Sequence, residues 1–363
     1  MQTPSATKDK VLFVSYDGKP FNGPRAHWFA KIFNQFGLQT EVFSLKDDLG
    51  ARYHGPESYK TKNIERAKLF IKCTLRLLKE PSDTKLIVIK AGFHSLSCVI
   101  LSAIKGNKII LDYDDYEYDE QFSIRNLLFH IILKKSSAIV AASKFLQEFI
   151  LAKTKKPAYH IPGGINAQEV IPLKNKTKEK LYTFTWMGNV SDEEVLNNIF
   201  FLMDCFKELN LENPKTQLYL RASGELVKKI EERLSKGEDK NIKIIGWIEN
   251  VSEYLATVHC GLFPLINKTK YNAAKCPGKV FTYMSAGLPV ICTDFGESKL
   301  IIKNNQNGFL TDGKKGFVKI MLQLSKNLEL NETIGKEARK TIEQQFDINK
   351  LAKDYKEIID SLN

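Results

Sequence analysis

The sequence predicts an α/β protein of two doubly wound domains, one parallel sheet in each half of the chain. Three observations carry this. First, in the second half short apolar runs at 181–187, 217–220, 242–245 and 260–263 alternate with helix-like stretches at 190–209, 224–234 and 246–255. Strand–helix alternation of this kind builds a parallel sheet covered by helices. Second, the first half starts the same way, with an apolar run at 10–15, a loop rich in Gly, Pro and Asn at 17–23, and a helix opened by Pro24. Third, residues 271–310 read as turn, short helix, turn and buried strand. Pro277-Gly278 breaks the chain before Val280, Phe281 and Met284, Gly287 stops the helix, and Pro289 opens Val290-Ile291-Cys292.

The bulk composition fits this class. With 363 residues, 43% hydrophobic and 26% charged, the chain is long enough for two separate cores. Six scattered cysteines form no CxxC pair, which points to reduced, buried thiols. The N-terminus is polar and charged up to Lys10, unlike a secretory signal, and the apolar stretch at 91–104 is too short to span a bilayer. A cytoplasmic protein, peripheral at most on the inner face of the membrane, is expected. Net charge is +12, and residues 1–170 hold 25 bases against 17 acids. Nucleic acid, anionic lipid or a phosphorylated acceptor could meet such a surface; no nucleic-acid motif is present, so nucleic acid is not an expected partner.

In chain order, the helix after Pro24 runs to about Phe36 with Gly37 as its stop, and His27 on it reads as a half-buried structural histidine. The loop before it lacks the three-glycine dinucleotide fingerprint, so a nicotinamide cofactor is a weak reading. A second strand follows at 40–45. Residues 59–79 interleave seven bases with aliphatics. They predict either a helix with aliphatics inward and lysines outward, or an interfacial helix on anionic lipid. The strand at 85–90 ends in Lys90, with His94 four residues on. The strand at 108–112 runs into Asp112-Tyr-Asp-Asp-Tyr-Glu-Tyr-Asp-Glu120. Ligands of open α/β sheets sit beyond the strands' C-terminal ends, so Asp114 and Asp115 become candidates to bind ligand hydroxyls or act as general base. The run lacks the glycine and distal glutamate of a calcium loop, and no metal is expected.

The segment KVFTYMSAGLPVICTDFGESKLIIKNNQNGFL resembles the nucleotide-sugar-binding segment of retaining glycosyltransferases of the GT-B fold, the group 1 (family four-like) enzymes typified by bacterial mannosyl- and glucosyltransferases. Lys279, Met284, Gly287, Pro289, Val290, Asn307, Gly308 and Leu310 match the family pattern. The two glutamates that the family carries eight positions apart fall on Ala274 and Thr282, neither acidic. The resemblance implies two Rossmann-like domains facing a cleft: 1–170 on the acceptor side, a linker at 171–180, 181–345 on the donor side, and a last helix at 346–363 crossing back to the first domain. It implies transfer of a sugar from a nucleotide-diphosphate donor to a hydroxyl of a glycan or lipid-linked acceptor, retaining and metal-independent, with no cofactor besides the donor.

It also assigns residues. Gly23 matches the glycine of the loop facing the donor diphosphate, and Lys90 falls where relatives place a histidine on the donor sugar. Gly188-Asn189 is the first turn of the second domain, lacking the family's arginine and lysine, so Lys275 and Lys279 become the candidate diphosphate cations. Trp247 sits where the family's loop contacts the base. Candidate catalytic residues are thus Lys90, His94, Asp114 and Asp115; candidate donor-binding residues are Gly23, Gly188, Asn189, Trp247, Lys275, Gly278, Lys279 and Thr282. The missing carboxylates and the base-free Gly188 turn keep open a non-catalytic sugar- or nucleotide-binding partner protein.

Overall fold

The computed structural model of the chain describes residues 10–15, 24–44, 63–116, 118, 123–172, 181–237 and 240–362. The chain divides into two compact units. One comprises Met1–Gly163, Ala274–Cys276 and Ile348–Asn363; the other comprises Gly164–Ala273 and Pro277–Asp347. The expected loop at 17–23, most of the linker at 171–180 and the start of the basic stretch at 59–62 fall outside the described residues.

The first unit holds a six-stranded parallel sheet: β1 Lys10–Ser15, β2 Gln39–Ser44, β3 Lys85–Ile89, β4 Ile109–Tyr113, β5 Ala138–Ala141 and β6 Tyr159–His160, in the spatial order β2-β1-β3-β4-β5-β6. Central strands buried on both faces are aliphatic throughout, whereas a half-solvated strand would alternate with polar residues. Side chains leave a strand alternately, so Leu12 and Val14 join one core while Val11 and Phe13 join the other. Helices Asn63–Leu77, Phe93–Lys105, Ile124–Lys135 and Lys144–Thr154 contribute to the first of these cores. Helix Pro24–Gln35 and the last helix, Ile348–Asp360, contribute to the second. Phe29 and Phe33 meet Tyr355 edge-on, with ring centroids 5.1 and 5.7 Å apart.

The second unit repeats the plan with β7 Tyr182–Asn189, β8 Thr216–Ser223, β9 Ile242–Ile245, β10 Cys260–Phe263, β11 Val290–Thr293 and β12 Phe309–Thr311, again parallel, in the order β12-β11-β10-β7-β8-β9. Strand order reverses between β7 and β10, which places a crevice beyond their C-terminal ends. Local signals fix the helix starts. Asp192 caps Glu193–Glu212 by accepting from the Val195 amide (2.8 Å), so this helix begins three residues later than the sequence suggests. Asn250 caps Val251–Ala256, leaving Gly246 and Trp247 in a loop before it and not inside a helix at 246–255. Gly287 takes φ +71° after helix Gly278–Ser285, a left-handed stop that a side chain would strain.

The structure decides one open point and extends one strand. In the basic helix, Ile71 and Leu75 point to solvent with the lysines, while Cys73 and Leu77 face the core. In the acidic run, β4 includes Asp112 as expected and runs one residue further, so Asp112 and Tyr113 are both fully buried.

Candidate functional site

In the second unit the candidate residues gather at the C-terminal ends of β7 and β8. A methyl group placed on Gly188 would lie 2.7 and 2.9 Å from Cε and Nζ of Lys279, and 2.8 Å from the Trp186 ring. The Lys279 chain therefore runs directly over the Gly188 backbone, its ammonium 5.0 Å from the buried Trp186 ring. Lys279 is the second residue of helix Gly278–Ser285, which opens at Pro277 with no side-chain cap. A cation here opposes the positive end of the helix dipole. Packed on an aromatic face beside first-turn amides, it makes a locus of positive potential suited to phosphate oxygens.

The helix is held down firmly. Tyr283 is fully buried, and its hydroxyl accepts from the Met187 amide at 2.8 Å. Its ring lies so close to Gly261 on β10 that any Cβ there would overlap it. Beneath, the Thr185 and Tyr254 hydroxyls share a hydrogen bond of 2.7 Å. Beyond Gly188, the Asn189 amide oxygen leans over Gly224, so that turn too closes only around a glycine.

Trp247 is 79% exposed and carries the Arg221 guanidinium 5.0 Å from its ring. It is a surface platform and not a core anchor; Arg221, missed in the sequence, sits on β8 paired with Met187 and is readable only once the sheet register is known. Lys275 belongs to the first unit and Lys279 to the second. Gly278 is exposed, with open space where a side chain would go. Thr282 donates its hydroxyl to the Gly278 carbonyl at 2.9 Å, and Ala274 lies in the apolar core of the first unit. The matching Asn307 acts on the backbone: its oxygen accepts from the Lys303 amide at 2.7 Å, and its nitrogen donates to the Ile301 carbonyl and the Thr341 hydroxyl.

In the first unit, the ends of β3 and β4 bring together Lys90, Asp114 and Asp115. Lys90 has φ +63°, rare for a residue with a side chain, and its amide donates to the Asp112 carbonyl at 2.9 Å. Its ammonium donates to Asp115 at 2.6 Å. Below lies a buried charge cluster: the Arg25 Nε–H is shared by both Asp112 oxygens at 3.0 Å, its other nitrogens donate to the Ile161 and Pro162 carbonyls, and the Tyr355 hydroxyl donates to Asp112 at 3.1 Å. Burial works against the Arg25 charge, but the Asp112 carboxylate outweighs it and raises its pKa. Asp114 stands next to this pair. Burial, against the opposing pull of Lys90 and aided by Asp115 and Asp112, pushes its carboxyl up to about 7. One of its oxygens is buried and meets no hydrogen-bond partner among the described residues. His94 is buried and donates Nε2–H to the Ile89 carbonyl (2.8 Å), which makes it a brace for the β3 end. Gly23 falls outside the described residues. Arg25 and Tyr355 went unnoticed in the sequence; only a base on the helix face of Phe29 hinted at the former.

The architecture, two six-stranded parallel sheets flanked by helices, is that of GT-B glycosyltransferases. Residues 182–327 match the family model Glycosyl transferases group 1. Among solved structures, HepE of Anabaena in complex with UDP-glucose is 15% identical over 97% of this chain and 99% of that one, with TM-score 0.73. Sucrose-phosphate synthase from Thermosynechococcus elongatus is 13% identical over 98% and 99%, TM-score 0.76. A glycosyltransferase from Rickettsia africae ESF-5 is 15% identical over 97% of each chain, TM-score 0.72. At such identities the likeness is one of fold. No curated protein matches the sequence.

Proposed function

We propose that the protein transfers a sugar from a nucleoside-diphosphate donor to a hydroxyl of a glycan or lipid-linked acceptor, with retention and without a metal ion. The observation that carries this reading is Lys279 stretched over Gly188 at the C-terminal end of β7. There its ammonium and the first-turn amides of helix Gly278–Ser285 would neutralise the leaving diphosphate. Front-face retention asks for positioning and for stabilisation of that charge, and needs no strong nucleophile. Trp247 with Arg221 offers a stacking surface for the base, and Asn189 borders the same strand end. Asp114, with a carboxyl titrating at about 7 and an unpartnered oxygen, suits the acceptor hydroxyl as base or hydrogen-bond acceptor. Lys90 and Asp115 would position the same hydroxyl.

HepE binds UDP-glucose, which makes that donor the first to test. Calorimetry with a panel of nucleotide sugars, then donor turnover with and without chelator and the product anomer by NMR, checks the reading. Absence of binding across the panel would sink it. A second reading, a non-catalytic sugar- or nucleotide-binding protein, is favoured by Ala274 lying in an apolar core and by the Thr282 hydroxyl bonding its own helix. Donor binding with neither hydrolysis nor transfer would select it.

A further inference from the structure

We infer that the outward face of helix Asn63–Leu77, with the turn to Lys79, docks on an anionic lipid bilayer. At about 100° per residue, Lys68, Ile71, Lys72, Leu75 and Lys79 share one side of this helix, roughly a 100° arc. All five are exposed, Ile71 by 55% and Leu75 by 59%, while Cys73 and Leu77 on the opposite side are fully buried. A helix facing only water places its aliphatics inward. Here two stand on the outermost line, one turn apart, with lysines on either side.

Two of the neighbouring acids are already paired. Glu80 binds Lys10 (2.6 Å) and Arg76, and Arg76 also holds Glu41 at 2.7 Å. Among the described residues, no carboxylate pairs with Lys68, Lys72 or Lys79. On the neighbouring helix Phe93–Lys105, Ile104 is also 64% exposed, and the Lys105 ammonium donates to the Leu78 and Glu80 carbonyls at 2.6 and 2.7 Å. Uncompensated lysines framing exposed aliphatics complement a surface that is anionic at the headgroups and apolar beneath. Single-stranded nucleic acid would call for aromatic platforms, and the described residues of this face include none.

Vesicle co-sedimentation of the full chain, without nucleotide, tests the inference independently of any transferase activity. Recovery on vesicles with 30% phosphatidylglycerol should exceed that on neutral phosphatidylcholine and collapse in 0.5 M salt. Each lysine contributes roughly fivefold to partitioning, so K68E/K72E/K79E should lose on the order of a hundredfold. I71S/L75S should lose roughly tenfold at any salt. A control with the same charge change in the second unit, K315E/K319E/K336E, should bind nearly as the parent does. Equal recovery on both vesicle types, or triple variants that behave alike, would overturn the inference. So would RNA binding that depends on Lys68 and Lys72 while vesicle binding does not.

Discussion

Lys279 and Gly188 are locked to each other: the lysine chain occupies the space that any side chain at 188 would need. Gly188→Ala would bring its methyl within 2.7 Å of Cε and displace the ammonium from the Trp186 face. The expected outcome is donor affinity lowered roughly tenfold and stability lowered by about 1–3 kcal/mol, read by calorimetry and by urea denaturation.

Lys279→Ala separates the two effects. It removes the charge and leaves the backbone turn intact, so donor affinity should drop by about 10–100-fold, the scale of a lost charged hydrogen bond. The melting temperature should stay within a few degrees. Normal donor binding by this variant would mean that the phosphates lie elsewhere.

Trp247→Ala should weaken donor binding roughly tenfold, on the scale of about 1–3 kcal/mol for stacking a base on an aromatic ring. At 79% exposure the ring supports little of the fold, so the urea midpoint should not move. A large stability loss with unchanged affinity would reverse the assignment.

Asp114 gives a pH signature. Its folded carboxyl titrates at about 7, above the ordinary carboxylate value, so the native state holds a proton that the unfolded chain has already released. Its contribution to stability is therefore full below about pH 4 and lost as pH rises through about 7. Asp114→Asn should flatten that fall, by an amount on the order of a few kcal/mol, in urea midpoints measured from pH 5 to 8. Turnover should rise with pH through the same range and lose this limb in the variant, with donor affinity changed far less.

Arg25→Ala should destabilise the first unit by about 3–5 kcal/mol, because it strands the buried Asp112 charge. Arg25→Met combined with Asp112→Leu should recover much of the loss. Denaturation curves of the single and double variants provide the check.

How legible these features were in the sequence depends on how local their causes are. Strand–helix alternation and the Pro277, Gly287 and Pro289 punctuation are local, so the two parallel sheets could be read directly. Lys279 could be placed at a helix start for the same reason. Its contact with Gly188 could not, since the two meet only when β7 lies beside β10. Asp112 could be placed at the end of a strand, but its partners could not be foreseen: Arg25 and Tyr355 stand 87 and 243 residues away. The direction of Ile71 and Leu75 stayed open, because bases interleaved with aliphatics do not reveal which arc faces the sheet. Trp247 lay in a stretch read as helix until the Asn250 cap moved its start.

The last helix, Ile348–Asp360, belongs to the unit that begins at the N-terminus, and its Tyr355 hydroxyl completes the hydrogen bonds of Asp112. On a ribosome, the strands of that first sheet emerge early but remain one helix short until residues 348–360 have followed. Residues 164–347, apart from the 274–276 excursion, can collapse meanwhile as an uninterrupted stretch. The order of maturation is thus inverted relative to the order of synthesis: the half made first is finished last. A chain lacking Ile348–Asp360 would leave Phe29 and Phe33 without the Tyr355 ring that packs edge-on against them, within reach of proteases and chaperones.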